Sequence, residues 1–431
     1  MRNDYFGENG VYKACPNDDN GLIVWSQQLY KPILNNTIFG NIMSESDLNG
    51  IVRVERKLER QEGSGVKIQM AIPLSADGVI GCNTLTGREE CPPTQDMMIE
   101  IDRIRHATCM TRCGCWGEQQ GLYIRSRSEA MEYLKEWLAH KILSPSFIHQ
   151  VTGYTGNVFV DYLNNRTAMK PQYRGFNEIH APTNHFRISP IDDQGFTKKL
   201  VPIAGKTDEE SKIDEKCRMS VSILKQISAL IGNNCYGRIR PLHNRYGKYV
   251  LFLHPSQIAD LKADPTWIQA MATADVRGSN NKLFTGALGL FDGIIIRSSC
   301  EIPNGLYPNN DPISTVRRAV LLGADAATLV IGGFCKRNKQ GELQKIPFRI
   351  NEQSSDYNDK TNLSISAIFG IAKNRFQGKD MSSVVISTYA DNFTFDDETI
   401  KVTDNYSPYA PYSVKDEWES GNKTSSKKAG K

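Results

Sequence analysis

The chain has 431 residues, 39% of them hydrophobic and 23% charged, and 52 basic residues stand against 48 acidic ones for a net charge of +4. That apolar content excludes global disorder, the length implies more than one subdomain, and the charge balance excludes a dedicated nucleic-acid binder. The segment Met1–Gly21 has no signal-peptide pattern and no apolar run reaches membrane-spanning length, so the ten cysteines are expected as reduced thiols in a cytosol-like compartment, with no membrane partner.

Residues 1–50 are rich in Asn, Asp and Gly. Their apolar residues, Ile23, Trp25, Leu29, Ile33, Leu34 and Ile38, are too few to bury much surface alone. An arm of this kind needs a surface to pack on, and Trp25 and Leu29 are its candidate contacts. Residues 51–95 open with the charged run Arg53, Glu55, Arg56, Lys57, Glu59, Arg60. A Gly63–Gly65 turn follows, then Val66, Ile68, Met70 and Ile72 alternate, and the segment closes through glycines to Arg88, Glu89 and Glu90. Alternation bounded by glycines predicts an extended hairpin that is poorly stable by itself. The charged residues Arg53, Arg56, Arg60, Arg88, Glu89 and Glu90 are candidates for a strip that sets register against another copy. The ordinary alternative is a solvated charged face.

Residues 126–143 read as a helix, with Ser126 and Glu129 as a capping box and Met131, Leu134, Trp137, Leu138 and Ile142 as its stripe. Ser144-Pro145 is expected to stop it. The stretch 169–202 reads as loop. A second helix is expected over 208–231, capped by Thr207 and Glu210, with Ile213, Cys217, Val221, Leu224, Ile227 and Ile231 inward and Gly232 at its end. Tyr249–Leu253 reads as a buried strand, His254-Pro255 as the turn into a helix, and 293–297 as another strand. Ala319–Leu322 is expected to lead through Gly323 into a short alanine-rich helix. Ser364–Phe376 reads as amphipathic and Ser383–Tyr389 as a final strand. The order is α+β. The tail 421–431 carries four lysines and no acid.

The chemical motifs are sparse. No phosphate-cradling loop and no nucleophile elbow occurs. His106, Cys109, Cys113 and Cys115 have the donor chemistry of a zinc site, but Cys-x-Cys is tighter than the usual spacing. Reduced thiols in a glycine-containing turn are the expected reading, with no metal and no cofactor. Glu178, His180 and His185 read as polar loop residues. An α/β enzyme using the Cys/His cluster is the rival of a different class, and the missing catalytic motifs count against it.

The stretch 249–272, YVLFLHPSQIADLKADPTWIQAMA, resembles the major capsid proteins of tailed bacteriophages, in which a buried strand ends in His-Pro before a short helix. NKLFTGALGLFDGIIIRS at 281–298, RAVLLGADA at 318–326 and IFGIAKNRFQGKD at 368–380 follow in the family's order, the last, with the β-rich run after it, resembling the closing helix and strand. VIGCNTLTGREE at 79–90 and Ile101–Arg105 match more loosely. The resemblance covers about residues 50–390 and points to the N4-like branch.

It implies the Hong Kong 97-type coat fold. Residues 1–50 would be the N-terminal arm and 51–95 the extended loop. Residues 96–200 would form a peripheral domain whose spine helix is 126–143, and 201–345 mainly an axial domain. Residues 346–420 would return to the periphery, and 421–431 would be a basic tail. It further implies self-assembly into hexamers and pentamers around double-stranded DNA, with scaffold, portal and cement proteins as partners. Assembly would take place in the host bacterial cytoplasm. A cellular nanocompartment shell of the same fold is the alternative.

Overall fold

The computed structural model describes residues 32–44, 50–55, 65–71, 78–82, 84, 86, 89, 94–111, 127–155, 175, 177–190, 198–203, 209–233, 239–242, 249–269, 289–337, 343–355 and 360–391. The chain divides into Met1–Asp391 and Asn392–Lys431, and every described residue belongs to the first unit.

The centre is an eight-stranded sheet in the order Lys198–Pro202, His185–Pro190, Ser383–Tyr389, Pro312–Leu322, Tyr249–Leu253, Ile294–Ser298, Gly289–Phe291, with Asn304–Leu306 added to Pro312–Leu322. Its sequences are apolar in continuous runs because both faces are covered. Val250, Phe252, Val320, Leu322 and Val385 face a core shared with the spine helix. Their neighbours Leu251, Leu253, Leu321, Val384 and Ile386 face a second core under the helices Val221–Gly232 and Pro255–Ala263. The period of two along each strand deals successive side chains to opposite cores. His254 caps the helix Pro255–Ala263, and the side chain of Gln257 returns a bond to the His254 backbone.

The second sheet runs Met43–Ser44, Val52–Glu55, Ala327–Ile331, Lys360–Lys373, Phe348–Ser355, with Asp102–Thr111 also paired to the long strand Lys360–Lys373. The spine helix packs on it through Met131, Leu134, Leu138, Ile142 and Phe147. A ribbon of Gly65–Ala71 paired to Thr94–Glu100 stands beside this sheet.

Several elements differ from the sequence reading. Ser126 lies outside the described residues. The helix does not stop at Ser144-Pro145: Arg127–Glu136 is α, Trp137–Leu143 is a π segment, and Ser144–Thr152 is α again. The wider π register carries the Ser144 N–H to Ala139 O, so Pro145, which has no N–H to give, enters just after the ladder has already shifted. Gly153, at φ 64°, ends the helix.

The expected helix over 208–231 is two short 3-10 turns, Glu210–Lys212 and Glu215–Cys217, followed by helix from Val221. Residues after Gly323 form a turn and a strand and not a helix, because the N–H groups of Ala324, Asp325 and Ala326 donate to Arg240, Gly50 and Ile51. A side chain at Gly323 would lie 2.2 Å from Arg240 O. Ile368–Asp380, expected from the resemblance as the closing helix before a β-rich run, is the end of Lys360–Lys373 followed by the short hairpin Arg375–Phe376/Lys379–Asp380, and the β-rich run after it is the strand Ser383–Tyr389. The stretch 169–202, read as loop, contributes two strands to the eight-stranded sheet.

Candidate functional site: assembly surfaces and a buried charge clasp

The two segments that looked unable to stand alone are partly seated on their own chain. In the arm, Ile33, Leu34, Phe39 and Ile42 enter the first core, and Ile38 N–H donates to Ser144 Oγ at 3.2 Å. Trp25 and Leu29 lie outside the described residues. In the ribbon, Val66, Ile68 and Ile99 pack on Val330 and Ala372, and Met70 packs on Phe376 and Met381. The ribbon's base is stitched down by Asn177, whose Oδ1 accepts from Glu100 N at 2.8 Å and whose Nδ2 donates to Ile371 O at 3.1 Å. Gly370 permits the crossing, since a Cβ there would lie 2.0 Å from Glu100 O. The expectation that the whole ribbon needs another copy is therefore corrected for its inner face: alternation puts that face on the chain's own sheet. The outer face carries Lys67, Gln69, Asp96 and Met98, with Lys67 and Asp96 paired at 2.6 Å and Met98 59% exposed. Toward the tip, Ile80 is 86% exposed and Glu89 is exposed.

Of the candidate charged strip, Arg53 and Glu89 are among the described residues. Arg53 lies in the core-sheet strand Val52–Glu55 and pairs with Glu55 on the same face, 2.5 Å away, so this end of 51–95 is sheet and not loop. Arg56, Arg60, Arg88 and Glu90 lie outside the described residues. His106 is on Asp102–Thr111, where its ring stacks on Trp137 at 4.6 Å between centroids. Cys109 is in the same strand, opposite Asn362, and Cys113 and Cys115 lie outside the described residues. Among the described residues, no group of three His, Cys, Asp or Glu side chains is placed to hold a metal ion.

A polar cluster that the sequence reading missed sits between the sheet and the spine. Arg318 on Pro312–Leu322 grips Glu210 with two bonds, Nε to Oε1 at 2.8 Å and Nη2 to Oε2 at 2.5 Å. Glu210 also accepts from Leu306 N at 2.9 Å and from Ser387 Oγ at 2.5 Å. His185 Nε2 is 2.8 Å from Ser387 Oγ and 3.4 Å from Glu210 Oε1. Arg318 Nη1 donates to Gly153 O at 3.2 Å, placing its charge at the carbonyl end of the spine helix.

Burial opposes the charge on Glu210, but its bonds from His185 and Arg318 hold its carboxyl far below the ordinary range. Burial keeps His185 below its usual value against the pull of Glu210. His180 and Glu178, grouped with His185 in the sequence, make a separate contact at 3.5 Å. The legible signal was Arg318 itself, a charge opening the apolar run AVLL in a strand buried on both faces. Glu210 was read only as a helix cap.

A second buried pair, Lys373 with Asp380 Oδ2 at 3.1 Å, fixes the turn that follows the long strand. Lys373 Nζ also donates to His180 O at 2.7 Å, and Thr183 N donates to Asp380 at 2.9 Å. Arg375 Nε lies 3.2 Å from Asp380 Oδ1 without hydrogen-bond alignment. Both clusters hold elements together, and in the first one both carboxylate oxygens of Glu210 are bonded.

A sheet covered on both faces, a long interrupted spine helix and a ribbon seated by one face define a coat subunit of the Hong Kong 97 type. Solved structures agree: the capsid protein of Ralstonia phage GP4 matches with a TM-score of 0.59 at 19% identity, over 82% of this chain and 91% of that one. The cyanophage Pam1 capsid protein matches at 0.55 and 17% identity, over 83% of this chain and 93% of that one. The phage capsid protein family matches residues 15–392, and the chain belongs to it. A major capsid protein of Pseudomonas phage KPP25 is 25% identical over 361 residues, 82% of this chain and 89% of that protein.

Proposed function

We propose that this phage capsid protein is the major shell subunit of its virion and self-assembles into hexamers and pentamers that close an icosahedral head around double-stranded DNA. The reading holds it to be structural and not catalytic, assembled in the bacterial cytoplasm with scaffold and portal proteins, and with cement proteins as further partners. The N4-like branch is part of the same proposal.

The observation that carries it is the ribbon. Its inner face is anchored on the chain by Val66, Ile68 and Ile99, while its outer face keeps Met98 and the Lys67–Asp96 pair on the surface. A two-stranded ribbon held on one side is a stiff bracket that offers its other side to a neighbour. Many such contacts, each small, sum to a stable lattice. Negative-stain microscopy of the protein expressed with its scaffold tests this: capsomers or closed shells are expected, and a strictly monomeric species at high concentration overturns it.

A further inference from the structure

The π segment Trp137–Leu143 is where the spine meets its neighbours. Trp137 stacks on His106, and Ser144, one residue beyond, accepts from the arm's Ile38 N–H. His140 Nδ1 lies 3.7 Å from Glu301 Oε1. Glu301 sits in the loop between the strands Ile294–Ser298 and Asn304–Leu306, with its side chain 15% exposed. Its Oε2 is buried and has no hydrogen-bond partner among the described residues.

The surrounding elements offer it little. From the spine comes His140, and from its own loop comes Ser299, whose Oγ accepts the Glu301 N–H at 3.2 Å. Arg317, on Pro312–Leu322, reaches the neighbouring Ile302 O at 3.4 Å and feels Tyr154. Among the described residues, no ion pair except the His140 contact reaches Glu301. An ionised carboxylate with a buried bare oxygen is strongly disfavoured, while a protonated one is tolerated.

We propose that the loop 299–304 is a proton-operated latch on the π segment of the spine: protonated Glu301 lets the loop close against His140, and ionisation releases it. The element released is the part of the helix most able to change register, because π segments are where long helices bend.

Burial raises the Glu301 carboxyl from 4.5 to about 8. In the open loop the carboxyl has its ordinary value. Closure is therefore strongest below 4.5, weakens tenfold per pH unit up to about 8, and is constant above that. Amide hydrogen exchange of the purified full-length protein between about pH 5.5 and 7.5, corrected for intrinsic rates, reads this directly. Residues 137–144 and 299–304 should lose protection about a hundredfold over those two units. Glu301→Gln should abolish the slope, and His140→Gln should leave it. If Glu301→Gln does not fold, Glu301→Ser provides the same contrast. An unchanged slope in the Glu301 variant, no slope in the parent, or loss of the slope in His140→Gln overturns the latch.

Discussion

The eight-stranded sheet and the Gly65–Glu100 ribbon are built from similar strands but complete themselves differently. Leu251 and Phe252, adjacent in sequence, are both fully buried, one in each core. In the ribbon, Ile68 is 2% exposed and Met98 is 59% exposed. The sheet buries both of its faces within its own chain. The ribbon covers one face only, and on the proposed reading the other face is where a second copy adds burial. That reading assigns stability and assembly to different faces, and substitutions should separate them.

The largest effect is expected at the clasp. Glu210→Leu leaves Arg318 buried without a carboxylate and should cost about 3–5 kcal/mol in denaturant unfolding of the free subunit. Glu210→Leu combined with Arg318→Met should recover most of that loss, because no lone charge remains. A double variant as unstable as the single one would show that the clasp is required for packing and not only for charge.

Next comes Gly370→Ala, which places a methyl group 2.0 Å from Glu100 O and must push the ribbon's base away. The expected cost is about 1–3 kcal/mol, read as faster proteolysis or amide exchange over 65–100 with the sheet unaffected.

Acid should act at the end of the spine helix. His149 is buried at the end of the spine, and burial lowers it from 6.5 to about 4. Its neutral form is required by the fold, so its contribution is full above 6.5 and is lost as pH falls toward 4. About 2 kcal/mol should be gone by about pH 5. A thermal melt of the free subunit should show this, and His149→Gln should flatten the dependence.

The smallest effect on the free chain is expected for Met98→Asp, within about 0.5 kcal/mol of the parent. The same substitution should weaken shell formation, measured as the yield of sedimenting particles at equal protein concentration. That contrast with Gly370→Ala separates the ribbon's two faces most finely.

The sequence showed the elements whose burial is one-sided or continuous and whose ends carry local signals. Tyr249–Leu253 with His254-Pro255, the strand Ser383–Tyr389 and the alternation Val66, Ile68, Met70 were legible for that reason. It misled where tertiary partners override local propensity. Pro145 reads as a stop, yet the π register absorbs it. Ser364–Phe376 reads as amphipathic without its period deciding the element, and the central place between Phe348–Ser355 and Asp102–Thr111 makes most of it strand. Of the clasp only Arg318, a charge at the head of an apolar run, was legible; His185, Glu210 and Ser387 are far from it in sequence, and nothing local marks them as its partners. The capsid resemblance held because it rested on order and spacing across most of the chain, which local errors do not disturb.

Electron cryo-microscopy of the purified particle is the most direct examination of the ribbon. Val66 and Ile68 should stay on their own sheet in every subunit while Lys67 and Met98 are covered by an adjoining one. A shell in which the ribbon's outer face meets solvent throughout, or a preparation that yields only single chains, would contradict the division of labour between the two faces.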